Sequence, residues 1–158
     1  MAKKAKSKSS NASVPANIEK AWGLAVQSRV NAYAPYSKFR VGATVIDDQG
    51  RMHPGCNVEN ASYGGTICAE RNAVLRSVAD GAKNVSDVIV VTEMNPPAPP
   101  CAMCLQVLSE FATGETRVWL GDLYGIKESL LLSELLPRHF GPKSLARGLK
   151  LRAGKTKK

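Results

Sequence analysis

The sequence predicts a layered α/β domain in which helices cover a β-sheet. Segments with helical spacing alternate with strand-like segments along the chain, and 158 residues suffice for one domain with a core. The β-branched run Val88–Val91 is typical of a strand buried on both faces. The composition, 44% hydrophobic and 22% charged, is that of an ordinary globular protein. No apolar run approaches the ~20 residues that a membrane span needs.

The first third of the chain predicts a helix followed by a β-hairpin. Apolar residues recur at helical spacing over residues 18–30, with Pro15 near the start and Pro35 beyond the end. Residues 39–46 alternate as a strand does, and a second strand is expected over about 51–58. The Asp-Asp-Gln-Gly sequence between them indicates a hairpin turn.

The rest of the chain continues the alternation of helices and strands. The expected elements are a helix over 68–78, a strand over 88–91, a rigid proline-rich loop over 96–100, a helix over 101–111 and a strand over 116–120. Asp80 and Gly81 are expected to end the first of these helices.

The net charge of +9 comes from the two ends of the chain. Residues 1–10 carry four lysines and 143–158 carry seven lysines or arginines, all without an acid, whereas the rest holds 11 basic and 13 acidic residues. We therefore expect a slightly acidic domain over 14–146 between disordered basic tails over 1–13 and 147–158. The tails are expected to aid solubility, and a salt-sensitive attraction to nucleic acid is the alternative.

The N-terminus and the cysteines indicate the compartment. The first ten residues are basic, but no apolar segment follows them, so they do not form a secretory signal and we expect a cytoplasmic protein. Four cysteines could form two disulfides. Without a secretory signal, however, a Cys-x-x-Cys pair with further cysteines more often indicates metal or redox chemistry.

Three cysteines predict a metal site. Cys101 and Cys104 are three apart on the first turn of a predicted helix, and Cys68 begins another. The partial positive charge at helix N-termini favours thiolates, and soft thiolates select zinc or iron–sulfur clusters. Three protein ligands leave the fourth position of a tetrahedral zinc for water, which is the arrangement of a catalytic site.

Glu70 completes a hydrolytic constellation. It lies two positions after Cys68, so its carboxylate can reach the open position without binding the metal. From there it can take a proton from water, which zinc makes acidic, and deliver it to a ring nitrogen and then to a leaving amine.

Each of these features also has a simpler interpretation. Cys56 could complete a structural four-cysteine zinc site, although it is expected to pack as a small apolar residue. A lone Cys-x-x-Cys also occurs in structural zinc sites and redox pairs, and Glu70 alone could interact with the helix dipole. His53 and His139 lie outside the motifs and are expected to be core or surface residues.

The combination of Cys-x-Glu with a later Pro-Cys-x-x-Cys resembles the zinc deaminases with all-cysteine ligands, and specifically the small cytidine deaminases. The resemblance covers about residues 15–146. It is carried by five segments: 33–43 (Tyr-Ala-Pro-Tyr-Ser-Lys-Phe-Arg-Val-Gly-Ala), 55–63 (Gly-Cys-Asn-Val-Glu-Asn-Ala-Ser-Tyr), 68–71 (Cys-Ala-Glu-Arg), 106–108 (Gln-Val-Leu) and 135–141 (Leu-Leu-Pro-Arg-His-Phe-Gly).

This resemblance implies a fold, an assembly and a reaction. The fold is a three-layer α/β/α sandwich around a five-stranded mixed sheet, assembled as a homotetramer with active sites at the subunit contacts. The reaction is the hydrolytic deamination of free cytidine and deoxycytidine to uridine and deoxyuridine plus ammonia, a step of pyrimidine salvage. One zinc ion per chain is implied.

The resemblance also implies roles for six residues around the zinc. They are stacking of the pyrimidine on Phe39, binding of a ribose hydroxyl by Asn57 and Glu59, contact of the base with the backbone of Ala69, closure of a neighbouring subunit's site by Phe140, and hydrogen bonding of the thiolates by Arg71. Asn57 and Glu59 are two apart on a predicted strand, so they share a face. A carboxylate at the 3′-hydroxyl favours a free nucleoside, because a 3′-phosphodiester would meet a like charge.

Two departures from the family pattern bear on the substrate. The family more often has glycine and arginine where this chain has Ala102 and Leu105, which leaves the reaction type intact but opens the choice of pyrimidine. Three alternatives remain: a deaminase of another aminated heterocycle such as blasticidin S, a polynucleotide deaminase that uses the basic tails, and a non-catalytic zinc-stabilised interaction protein.

Overall fold

The computed structural model describes residues 13–141 and 144–146. The elements in chain order are α1 (Ala16–Arg29), β1 (Gly42–Asp47), β2 (Met52–Cys56), α2 (Ala69–Ala79), β3 (Val85–Val91), α3 (Ala102–Phe111), β4 (Ala112–Asp122), β5 (Gly125–Leu131) and α4 (Leu132–Leu135). Apart from Ser13, the expectations for the two basic tails lie outside the described residues.

Within the described residues, five strands form one mixed sheet in the order β2-β1-β3-β4-β5. β3 and β4 run parallel, while every other neighbouring pair is antiparallel. β3 lies at the centre, and its residues Val88 to Val91 are all buried, as the apolar run predicts. The expected five-stranded mixed sheet is confirmed.

Helices cover both faces of the sheet. On one face, α1 packs through Ile18, Ala21 and Ala25 against residues that include Ile89 and Val91 of β3. On the other face, α2, α3 and α4 pack against the alternate side chains of β3; this second core contains Ala69, Ala73, Val74, Val88, Val90, Leu105, Leu108 and Leu132. Alternate side chains of β3 thus pack into two cores, one on each face of the sheet. The three-layer α/β/α architecture is confirmed.

α1 lies directly on the start of β1. A Cβ atom added to Gly42 would lie 2.0 Å from the carbonyl oxygen of Ala25 and 2.8 Å from the Cβ of Arg29. Only glycine permits this approach, which fixes the C-terminal end of α1 against the first strand.

The sequence locates the three long helices to within one or two residues, but it places the strands less well. The strand expected over 39–46 begins only at Gly42, because Phe39 and Val41 bond to the side chain of Asn57 instead of to a neighbouring strand. β5 and α4 carry no clear periodic signal. Leu130 and Leu131 are consecutive and both half-buried, so β5 lacks the alternation of a typical half-buried strand.

The hairpin turn is braced by a buried polar network. His53 is buried and lies between two carboxylates, with Nε2 3.0 Å from Asp47 and Nδ1 2.9 Å from Asp80. Burial raises the pKa of Asp47, but hydrogen bonds from His53, Arg51 and the backbone outweigh it and hold that pKa well below its usual range. His53 is thus a core residue, whereas His139 is exposed on the surface.

No helix in residues 13–141 and 144–146 is long and apolar enough to cross a membrane.

Candidate active site

Two helix N-termini bring three thiols together. Cys68 is the residue that precedes the first turn of α2, Cys101 holds the same position before α3, and Cys104 lies in the first turn of α3. The three sulfur atoms all lie within 4.8 Å of one another, and the Sγ atoms of Cys101 and Cys104 are 3.4 Å apart. In the part of the chain that the structure describes, this is the one group of three or more side chains that could hold a metal ion.

The group fits a zinc ion. With Zn–S bonds of about 2.3 Å and tetrahedral angles, the sulfur atoms of a zinc site lie about 3.8 Å apart, which these sulfurs reach with small side-chain shifts. Cys56 lies outside the group, at the end of β2, and burial raises the pKa of its thiol. The geometry therefore offers three protein ligands and leaves room for a fourth, exchangeable one.

The thiols are electrostatically prepared for a cation. Hydrogen bonding from Cys104 and the charge of Arg71 lower the pKa of Cys68 to about 5, in spite of its partial burial. The pKa of Cys104 is raised, because its thiol hydrogen-bonds to Cys68 and is partly buried beside the charge of Glu70. A cation held by these sulfur atoms would displace the thiol protons.

Arg71 lies against the thiol group. Its Nη2 donates to the carbonyl oxygen of Thr66 at 2.8 Å and to Cys68 Sγ at 3.7 Å. Its Nε is buried and has no hydrogen-bond partner among the described residues. A guanidinium in this position offsets part of the negative charge of three thiolates.

Glu70 is the buried carboxylate of the site. It is 4% exposed, lies in the first turn of α2, and lines the same cavity as Cys68 and Cys101. Burial, together with the nearby charge of Cys68, raises the pKa of its carboxyl group. A carboxyl with a raised pKa can accept and return a proton near neutral pH, which is the property of a general acid–base.

A cavity of about 240 Å³ opens beside the thiols. It brings together six of the residues that the sequence singles out with seven others. The lining residues are Ser37, Phe39, Val41, Asn57, Glu59, Thr66, Cys68, Glu70, Val90, Thr92, Ala98, Pro99 and Cys101.

Asn57 and Glu59 lie just beyond β2 in an extended segment and both face the cavity. Asn57 Oδ1 accepts a hydrogen bond from the amide of Val41 at 2.8 Å, and its Nδ2 donates to the carbonyl oxygen of Phe39 at 2.9 Å. Glu59 accepts hydrogen bonds from the amides of Tyr36 and Ser37 and from the Ser37 hydroxyl. The two side chains thus hold the 36–41 segment that carries Phe39.

Two of the residues expected to bind the substrate lie outside the cavity lining. Ala69 is fully buried between Cys68 and Glu70, with its amide in the first turn of α2. Phe140 is 61% exposed, and its carbonyl oxygen accepts a hydrogen bond of 2.7 Å from Gln106 Nε2. A contact of Ala69 with a base, and of Phe140 with a neighbouring subunit, stay predictions.

The structure adds two residues that the sequence does not single out. The buried hydroxyl of Thr92 accepts hydrogen bonds from the amides of Met94 (3.3 Å) and Ala98 (3.4 Å) in the proline-rich loop. Thr92 directly follows the buried strand β3, and the carboxyl ends of parallel strands often hold ligand sites, so its position is a signal that could have identified it. Ser37, which binds Glu59, has no comparable signal.

Comparisons with known proteins agree with this site. A family model described as the zinc-binding region of cytidine and deoxycytidylate deaminases matches residues 15–120. The chain is 44% identical to the cytidine deaminase of Halalkalibacterium halodurans over 73% of its length and 88% of that protein's. For the cytidine deaminase of Sporosarcina psychrophila the identity is 38%, over 82% and 96%.

A solved structure shows the same fold. The crystal structure of cytidine deaminase from Burkholderia pseudomallei is 38% identical in sequence and superposes with a TM-score of 0.73, over 77% of this chain and 97% of that one. The matched region includes the three clustered cysteines and Glu70. The chain therefore belongs to the family of cytidine and deoxycytidylate deaminases, whose matched region binds zinc.

Proposed function

We propose that the protein is a zinc-dependent hydrolytic deaminase of free cytidine, and of deoxycytidine, that releases ammonia and forms uridine or deoxyuridine. The observation that carries this proposal is the placement of Glu70, a buried carboxyl with a raised pKa, in the same cavity as the thiol group. The catalytic domain is proposed to extend over residues 14–146.

Cys68, Cys101 and Cys104 would hold one zinc ion per chain, and Arg71 would stabilise the resulting negative charge. When bound, zinc supplies Lewis acidity that lowers the pKa of a water molecule to about 7.

Glu70 moves the protons of the reaction. Its carboxylate accepts a proton from the attacking water while the oxygen adds to C4 of the pyrimidine, and it delivers this proton to N3. It then transfers the second proton of the water to the exocyclic nitrogen, and the C4–N bond breaks as ammonia leaves. Water and cytidine thus give uridine and ammonia, and Glu70 returns to its starting state.

The 36–41 segment positions the nucleoside together with Asn57 and Glu59, which hold this segment by hydrogen bonds. Phe39 offers an aromatic face at the cavity for stacking of the pyrimidine. Hydrogen bonds from Ser37 and from the backbone lower the pKa of Glu59, so this carboxylate is ionised at neutral pH and accepts a hydrogen bond from a ribose hydroxyl. A 3′-phosphate has no proton to donate when ionised and is repelled, which favours a free nucleoside over a polynucleotide.

A homotetramer is part of the proposal. Tyr36 and Tyr63 stand beside the cavity with their rings edge to face at 6.4 Å, and Tyr63 is 80% exposed. Grouped exposed aromatic side chains are typical of protein contact surfaces. Light scattering of the purified protein should give four times the mass of the chain, and a monomer at micromolar concentration would contradict this part. Free thiols in a metal site suit a reducing compartment, so we place the enzyme in the cytoplasm.

One assay tests the substrate assignment. Ammonia release should be far faster with cytidine or deoxycytidine than with cytidine 3′-monophosphate or with cytosine in an oligonucleotide. Equal activity on the oligonucleotide would favour the polynucleotide alternative, and activity confined to blasticidin S would favour the antibiotic deaminase. Release from none of them by zinc-loaded protein would favour a non-catalytic role.

A second experiment tests the role of Glu70. Glu70→Gln should lower kcat by at least ~10²–10⁴-fold while zinc content stays near one per chain. Glu115→Gln is the matched control, because Glu115 is exposed on β4, and it should keep the wild-type rate. A near-wild-type rate for Glu70→Gln would contradict the mechanism.

A further inference from the structure

Arg29 is a buried arginine that the proposed chemistry does not use. It is the last residue of α1 and is 8% exposed. Its Nε donates to the carbonyl oxygen of Arg40 at 2.9 Å, and its Nη2 forms an ion pair with Glu93. The guanidinium therefore joins two segments that are more than fifty residues apart in the chain.

Each of these segments carries one wall of the cavity. Arg40 lies between Phe39 and Val41, and both of these neighbours line the cavity. Glu93 directly follows Thr92, which also lines the cavity and holds the loop that leads to Cys101. Arg29 thus bonds to two residues, Arg40 and Glu93, each of which is the chain neighbour of a lining residue.

The side chain of Arg29 has a fixed origin and a rigid head group. The close approach of α1 at Gly42 fixes the position of the Arg29 Cβ. A buried guanidinium is costly unless its charge is paired and its donors are bonded, and here both contacts contribute to that compensation. The planar fork of arginine holds two acceptors in a defined relative direction, which a lysine ammonium does not do.

We propose that Arg29 and Glu93 are a positioning pair. Together they set the distance between the segment that carries Phe39, on which the pyrimidine would stack (the Phe39 platform), and the part of the lining formed by Thr92 (the Thr92 wall). This inference rests on the proposed function, because the separation matters only if the cavity holds a pyrimidine. Asn57 holds the 39–41 segment from the cavity side and Arg29 holds it from the other side.

Two variants test the pair without touching the cavity. Arg29→Lys keeps the charge beside Glu93 and loses the bond to Arg40, whereas Glu93→Gln removes the partner charge and keeps that bond. Each should lower kcat/KM for cytidine about tenfold, within the ~10²-fold that a 1 Å misplacement can cost. The double variant should be far less impaired than the product of the two single effects, because both changes break one unit.

The control is Lys127→Gln, which removes another ion pair, that of Lys127 with Asp122 (3.3 Å). It should leave kcat/KM unchanged. Glu93 is 63% exposed in its side chain, so Glu93→Gln is expected to fold even if Arg29→Lys does not, and it then decides the test alone.

Amide hydrogen exchange gives a readout that does not depend on activity. The amide of Val41 bonds to Asn57 and that of Ala98 to Thr92, so each reports one wall. Exchange should rise at Ala98 in Glu93→Gln and at Val41 in Arg29→Lys, while Val45 in the centre of β1 stays protected as in the wild type.

The outcomes separate the two proposals. Wild-type kcat/KM with wild-type exchange in Glu93→Gln would overturn the positioning pair, as would a loss of activity without any change in exchange, or an equal loss in Lys127→Gln. A wild-type protein that does not deaminate cytidine overturns the proposed function instead, and the exchange data still report whether the pair holds the walls.

Discussion

Replacing Asn57 by alanine removes two hydrogen bonds from one wall of the cavity. Oδ1 accepts from the amide of Val41 and Nδ2 donates to the carbonyl oxygen of Phe39, at 2.8 and 2.9 Å. The residue is 8% exposed, so in the wild type these two hydrogen bonds are largely shielded from water. The structure therefore gives Asn57 a role in holding Phe39 in addition to any contact with a ribose.

The size of the effect follows from these contacts. Each hydrogen bond contributes about 1 kcal/mol to the free energy of unfolding, and a buried backbone group left without a partner costs about 1–3 kcal/mol. Asn57→Ala should thus lower the free energy of unfolding by about 2–4 kcal/mol. Asn57→Asp should also lower it, because the second carboxylate oxygen would face the carbonyl oxygen of Phe39. Asn84→Ala, at an exposed position, should change it by less than about 0.5 kcal/mol.

Urea unfolding of zinc-loaded protein at a fixed zinc concentration measures these values, since bound metal adds to apparent stability. Kinetics with cytidine and 2′,3′-dideoxycytidine then separate the two roles. If Asn57 holds Phe39 in place, Asn57→Ala should lower kcat/KM for both nucleosides, and any contact with the ribose adds to the loss for cytidine. Unchanged stability, together with a loss confined to cytidine, the one of the two that has 2′- and 3′-hydroxyls, would refute the argument that Asn57 holds Phe39.

Three further predictions concern the metal, the proline-rich loop and the hairpin. Metal analysis should show that Cys68→Ser loses zinc and that Cys56→Ser keeps it, because Cys68 is one of the three clustered cysteines and Cys56 is not. Loss of zinc in both variants would favour a four-cysteine site. Thr92→Val should lower kcat/KM for cytidine about tenfold and Thr92→Ser should not, because serine keeps the acceptor for Met94 and Ala98; equal rates would contradict this. Because the pKa of Asp47 is lowered in the folded protein, its carboxylate stabilises the fold above pH ~4, and this stabilisation is lost as the pH falls further. The free energy of unfolding in urea should therefore decrease less steeply with falling pH in Asp47→Asn than in the wild type. Equal pH dependence in the two proteins would argue against this role of Asp47.

The metal centre could be predicted from the sequence because its determinants are local. A cysteine before the first turn of a helix and another three residues later must lie on one side of that helix, and Glu70 follows Cys68 within the same turn of α2. What the spacing leaves open is which two helix N-termini meet. The resemblance supplied that information, and the packing of α2 and α3 on one face of the sheet explains it.

The walls of the cavity were harder to predict because their hydrogen bonds join distant segments. Asn57 bonds to Phe39 and Val41 across the start of the hairpin, and Arg29 joins Arg40 to Glu93, more than fifty residues later. No periodicity reports such pairs. The sequence does not indicate β5 for a different reason: its half-buried residues are consecutive and not alternating.

Asn57 and Glu59 hold the 36–41 segment and are also proposed to bind the ribose, and their hydrogen-bonding capacity links these two roles. An amide side chain has two protons and two lone-pair sites, and Asn57 uses one of each on the 39–41 segment, so one of each is left for a ligand. The Glu59 carboxylate has about four lone-pair sites and accepts three hydrogen bonds from Tyr36 and Ser37. A ribose hydroxyl would therefore donate to the remaining lone pair or displace the hydroxyl of Ser37. The Ser37 hydroxyl also accepts a hydrogen bond of 3.0 Å from the amide of Phe39. Displacing this hydroxyl would therefore directly affect the position of Phe39. Recognition of the sugar and placement of the base are therefore coupled through one serine, and Ser37→Ala should reduce the difference in kcat/KM between cytidine and 2′,3′-dideoxycytidine. Parallel losses for both nucleosides would show instead that Ser37 only supports the loop.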